Sequence, residues 1–178
     1  IKEHTFEYSK NKALLDISLN TGTNTTTKII PVVFHIIHDG DVIGTEENIS
    51  TEQVEDAIRI MNEDFNLLND DLENVTGAFE DIIGNVNVEF RLAQLDPNGN
   101  CSNGITRTFS NMTNQADDCI KDLINWDDTK YLNIWVVEDI SPEINAAAYT
   151  YLPSSPYVIH GIIANHQYVG SIGSSSNS

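Results

Sequence analysis

Basic residues are scarce in this sequence: its 178 residues hold 9 Lys+Arg against 27 Asp+Glu, a formal charge of -18. Such a chain repels phosphate backbones, and its few cations are scattered rather than gathered into a patch, which argues against a nucleic-acid partner. Long apolar runs are missing too. None approaches the ~18 residues that a membrane-spanning helix needs, so no membrane partner is expected. Cysteine is limited to Cys101 and Cys119, with neither CxxC spacing nor a neighbouring histidine, which speaks against zinc held by thiolates. None of His4, His35, His38, His160 and His166 is followed by Glu, so HExxH is absent, and no GxSxG, phosphate loop or dinucleotide fingerprint occurs. Taken residue by residue, the chain carries no complete active site.

What is present suits one medium domain or part of a larger one: 40% hydrophobic residues, arranged in apolar blocks between polar turns, suffice for a core. The acidity is concentrated. Residues 41 to 100 hold 15 Asp+Glu and only Arg59 and Arg91 as basic residues. A solvated acidic face accounts for this, and bound calcium is the sharper alternative. Asp96-Pro-Asn-Gly-Asn100 resembles the first half of a calcium loop, but Arg107 stands where a bidentate Glu would be needed, and the segment is a strong turn signal by itself. Cys101 and Cys119 either form a disulfide, which would stabilise by roughly 3 kcal/mol and imply an oxidising, extracellular setting, or remain two free thiols. Asn-x-Ser/Thr sequons at Asn24, Asn48, Asn74, Asn100 and Asn111 fit surface loops. The opening on Ile1 and the ending in Gly170-Ser-Ile-Gly-Ser-Ser-Ser-Asn-Ser178 suggest a processed or truncated chain.

Residues 1–27 lack periodicity and are expected to be an extension or a processed segment, with the folded part spanning 28–178. Ile29 to His38 is a β-branched apolar run of strand length, as for a strand buried on both faces. From Thr51 to Leu68 the apolar positions Val54, Ala57, Ile58, Met61, Phe65 and Leu68 form one helical stripe, with Ser50 as cap, Gln53 completing a capping box, and Ile49 and Val54 as a hydrophobic staple. Val86–Leu95, Tyr131–Val137, Ala146–Leu152 and Tyr157–Ala164 read as further strands, with a short helical stretch near Asp117 to Trp126. The fold class is therefore α/β (α+β): a mixed, mostly parallel twisted sheet of about five strands, one long backing helix and an antiparallel edge strand. His35 and His38, three apart on a strand, face opposite sides and cannot share one metal.

Gly104-Ile-Thr-Arg107, Trp126-Asp-Asp-Thr-Lys-Tyr-Leu-Asn-Ile-Trp-Val-Val137, Tyr149-Thr-Tyr-Leu-Pro153, His160-Gly-Ile-Ile163 and Tyr168-Val-Gly-Ser-Ile-Gly173 resemble, in order and spacing, the pappalysin family of metzincin zinc endopeptidases. The resemblance runs from about residue 28 to 173 and implies the N-terminal, upper part of a secreted catalytic domain. In that family HExxHxxGxxH follows, supplying three zinc-binding histidines and a general-base Glu. The resemblance thus implies zinc in a complete enzyme whose ligands lie outside these residues, with the present chain inactive alone. It implies two partners: the remainder of the catalytic domain, and a protein or peptide substrate paired along an edge strand through the backbones of Ala147, Ala148, Tyr149 and Thr150. The family often has Gly where Ala148 stands, and Asp-Gly where this chain has His160-Gly161. A non-catalytic secreted protein-binding or adhesion domain with the same sheet is the alternative.

Overall fold

The computed structural model describes residues 26–79, 82–144, 146–152 and 159–176. The apolar run that opens the folded part forms β1, Lys28–His38, whose residues Val32 to Ile37 are all buried. Such a strand needs cover on both faces and pairing on both edges, and the rest of the chain supplies them. One edge of β1 is shared end to end by two short parallel strands. β2 (Val88–Leu92) pairs from Lys28↔Val88 to Val32↔Leu92, and β3 (Ile105–Phe109) from Phe34↔Ile105 to His38↔Phe109. The other edge pairs in parallel with β4 (Leu132–Val137), which pairs in turn with β6 (Ile162–Asn165). β5 (Ala148–Thr150) runs antiparallel to β6 and closes the order β2-β1-β4-β6-β5. The sheet is therefore mixed and mostly parallel, with six strands where about five were expected; β3 is the addition. Of the strand expected over Tyr157–Ala164, Tyr157 and Val158 lie outside the described residues, and the observed strand begins at Ile162.

One face of the sheet (Val32, Phe34, Ile36, Val88, Phe90, Ile134, Val136, Ala164) packs on α1, Thr51–Phe65, through Val54 and Ala57. Opposite, Ile37, Trp135, Val137 and Ile163 are covered by Ala116, Ile120 and Ile140. The Ser50 hydroxyl accepts the Gln53 N–H and caps α1 as expected, and Ile49 and Val54 are both fully buried. The capping box is not completed, because the Gln53 side chain reaches elsewhere. Its Nε2 donates to the His166 and Val169 carbonyls at 3.2 and 3.0 Å, and its Oε1 accepts the Ser174 N–H at 3.1 Å. The polar tail is thereby docked on α1, reinforced by Asp56, which accepts from both the N–H and hydroxyl of Ser171. The helix stops at Phe65 rather than Leu68: Asn66 Nδ2 donates to the Asn62 and Val88 carbonyls, Leu67 takes a positive φ of 59°, and Leu68 is 69% exposed.

The Asp96–Asn100 turn crowns a small hairpin. Its stems meet at Leu95↔Cys101, and the Ser102 N–H donates to the Gln94 carbonyl. The hairpin leaves the β1 edge between β2 and β3, where the Ala93 N–H bonds the Val32 carbonyl and the Phe34 N–H bonds the Gly104 carbonyl.

Candidate functional site: the edge strand and its buttress

β5 has β6 on one side and, among the described residues, no strand on the other. In an antiparallel pair, successive residues turn their N–H and C=O groups alternately toward and away from the partner. The Asn165 N–H donates to the Ala147 carbonyl at 2.9 Å, and Tyr149 stands opposite Ile163. Ala147 and Tyr149 therefore spend their main-chain groups on β6, while Ala148 and Thr150 present theirs outward. The four residues singled out from the sequence thus divide into two that hold the sheet and two free to accept an added strand. Ala148 and Thr150 are both exposed, and Tyr149 is half-buried. The Thr150 hydroxyl donates to the Gly161 carbonyl at 2.8 Å, tying the strand to the start of β6. Gly161 itself is obligatory: its φ is 144°, and a Cβ would lie 2.5 Å from both the Asn133 carbonyl oxygen and the Trp135 ring.

Behind β5 sits a charged buttress whose members come together only in the folded chain. Lys121, only 2% exposed, lies in the 3-10 turn Asp118–Asp122. Its ammonium group pairs with Asp118 at 2.9 Å, donates to the Ile159 carbonyl at 3.1 Å, and lies 5.0 Å from the Tyr151 ring centre and 5.7 Å from that of Trp135. The Tyr149 and Tyr151 hydroxyls both donate to Asp118. Burial and the Asp118 carboxylate raise the Tyr149 phenol, so it stays protonated as a donor. For Asp118, burial works upward, but the bonds from Tyr151, Lys121 and Tyr149 outweigh it and hold the carboxyl below its ordinary value. The arrangement clamps the strand from one face, and among the described residues no strand pairs with its outer edge.

The described histidines, His35, His38, His160 and His166, do not fit a three-histidine zinc site. His35 is fully buried with both ring nitrogens engaged: Nδ1 with the Thr106 hydroxyl at 2.7 Å and Nε2 with Asn133 Oδ1 at 2.8 Å. His38 ends β1 and His166 follows β6, separated by β4, while His160 precedes β6 at the opposite end of the sheet. Among the described residues, no group of potential metal ligands contains more than one histidine. Calcium at the Asp96 turn finds no support either, because the turn itself consumes that carboxylate. Oδ1 accepts the Asn98 and Asn100 N–H groups, and Oδ2 the Asn100 side-chain amide.

The disulfide considered for Cys101 and Cys119 is not formed, and both thiols are free and exposed. Cys101 belongs to the hairpin between β2 and β3, whereas Cys119 lies in the 3-10 turn beside Asp118, which bonds Tyr149 of β5 and Tyr151 just after it. Of the sequons, Asn74, Asn100 and Asn111 are exposed, but Asn48 is 3% exposed and its amide donates to the Asp41 carbonyl, so that one is not a surface acceptor. Among the described residues, no helix is long and apolar enough to cross a membrane.

No family model matches the chain, and a search of curated proteins gave no match. Solved structures do match. Mature mirolysin of Tannerella forsythia in complex with a cleaved peptide is 33% identical over 84% of this chain, with a TM-score of 0.70. Mirolysin in complex with a compound is 32% identical over 84%, with a TM-score of 0.71. A promirolysin mutant of Tannerella forsythia is 30% identical over 96%, also at 0.71. Mirolysin is a zinc metalloprotease of the metzincin type, so the resemblance read from the motifs holds at the level of the metzincins. The chain spans 56–57% of the length of these mirolysins, and over that span it is similar to them in both sequence and fold.

Proposed function

We propose that these residues are the N-terminal part of the catalytic domain of a secreted, pappalysin-type zinc metalloendopeptidase, and that β5 binds extended peptide substrate as an added antiparallel strand. The observation that carries this reading is the 30–33% identity with mirolysin over 84–96% of the chain, one of those structures holding a cleaved peptide. The outward main-chain groups of Ala148 and Thr150 support the substrate role, since strand addition draws its affinity from such unpaired groups. The described histidines do not converge, so the metal chemistry is assigned to a downstream HExxHxxGxxH helix, and the 178 residues alone are inactive. Residues 1–27 are read as a pro-segment. The match to the pro-form covers 96% of the chain against 84% for the mature form, a difference of about 21 of the 178 residues. A pro-segment accords with export, and the exposed sequons do not oppose it.

The decisive experiment pairs sequence with activity: read the coding sequence beyond Ser178, and assay the full-length protein on peptides with and without chelator. HExxHxxGxxH within a few tens of residues, with chelator-sensitive cleavage, is the expected result. A different downstream domain and no cleavage would leave the non-catalytic binding domain as the better reading.

A further inference from the structure

The neighbouring parallel strands β1, β4 and β6 are followed directly by Asp39, Glu138 and His166 at one end of the sheet. The loop after β1 returns Glu46 and Glu47 to the same place. Glu47 is 1% exposed and accepts the Asp39 N–H at 2.9 Å. Burial first, then the charges of Glu47, Glu46 and Asp39, raise the Glu138 carboxyl above its ordinary value. Among the described residues, no Lys or Arg forms an ion pair with any of these four carboxylates.

His166 gives the cluster its direction. It is 1% exposed, and neither ring nitrogen finds a well-aligned hydrogen-bond partner. Nε2 lies 3.3 Å from Glu138 Oε2, an oxygen that also lacks a hydrogen bond. Burial favours the neutral ring, which keeps a lone pair for a ligand, although the Glu46 charge and a contact with the Glu46 backbone pull the other way. One ligand atom from each of Glu46, Glu138 and His166 lies within 4.8 Å of the others. Packed carboxylates beside a buried, unsatisfied imidazole are costly to keep unless a positive charge sits between them.

We propose that Glu46, Glu138 and His166 bind a divalent transition cation of the manganese-to-zinc range. One imidazole with two carboxylates matches the ligand preference of these ions, and three protein ligands leave room for water. The cation would clip the loop carrying Glu46 onto the ends of β4 and β6. It does not depend on the protease reading, because none of the three ligands belongs to the edge strand.

The test is a Mn2+ titration of the full-length protein, any tightly held zinc left in place, followed by the loss of the free-ion EPR signal. Glu46→Gln, Glu138→Gln and His166→Ala are run beside the wild type. The expected result is one equivalent of Mn2+ bound by the wild type and at least tenfold weaker binding in each variant. His166 is buried and its replacement could unfold the region, so Glu46→Gln, at an exposed position, is the arbiter. Equal Mn2+ uptake by wild type and Glu46→Gln, or no uptake by the wild type, overturns the site.

Discussion

His35 shows how a titratable residue is made part of a core. Its ring lies between Trp135 and Trp126, with ring centres 5.5 and 6.1 Å away. Asn133 Oδ1 already accepts the Trp126 N–H while Nδ2 donates to the Trp126 carbonyl, so that oxygen also accepts from His35 Nε2–H, and Nδ1 accepts from the Thr106 hydroxyl. Burial lowers the imidazole to about 4, the Asn133 bond opposing. The unfolded chain takes up this proton near 6.5 and the folded chain does not, so stability is lost as pH falls from 6.5 to about 4 and levels off below. At ~1.4 kcal/mol per pH unit, that window is worth roughly 3 kcal/mol. Urea unfolding of wild type and His35→Gln across pH 7 to 4 should show the wild type losing about that much more than the variant. Parallel declines would refute the assignment.

At the scale of elements, β5 carries the sharpest prediction, because its two sets of main-chain groups have different jobs. Ala148→Pro removes an N–H that faces away from β6, so in the complete enzyme it should raise KM for peptides about tenfold, about 1.4 kcal/mol, with little loss of stability. Tyr149→Pro removes one that faces β6 and should lower the melting temperature instead. Peptide kinetics and thermal melts on both variants separate the roles; an unchanged KM for Ala148→Pro would count against strand addition. β1 and α1 were legible because burial on both faces writes a continuous apolar run, and one-sided packing writes a stripe. β3 was not: in Ile105–Phe109 three consecutive polar residues, Thr106, Arg107 and Thr108, stand between two apolar ones, and none of the five is fully buried. Its place beside β1 is held by pairing and by Arg107, which donates to Asn48 Oδ1 and the Ile49 carbonyl, contacts between residues almost sixty positions apart. The Lys121 buttress was hidden for the same reason: common residue types become a unit only when the sheet brings them together.

For the whole molecule, the order of strands decides matters that distance along the chain cannot. Cys101 and Cys119 are 18 apart in sequence, but one lies on the hairpin between β2 and β3 and the other in the 3-10 turn over a sheet face, both free and exposed, so alkylation of the native, unreduced protein should modify both thiols. Asp117 accepts from the Cys119 thiol and raises it, so Cys119 should react faster as pH rises. Mass spectrometry showing an unmodified, linked pair would contradict this topology. The hairpin between Ala93 and Gly104 follows from the same plan. Its neck is closed so tightly that a Cβ on Gly104 would come within 2.7 Å of the Ala93 nitrogen, while β2 before it and β3 after it both pair with the same edge of β1. Each doubling of such a loop costs only about 0.6 kcal/mol in closure entropy. The tip is therefore a port where a dye, tether or grafted peptide can be installed without shifting the register of the central strand.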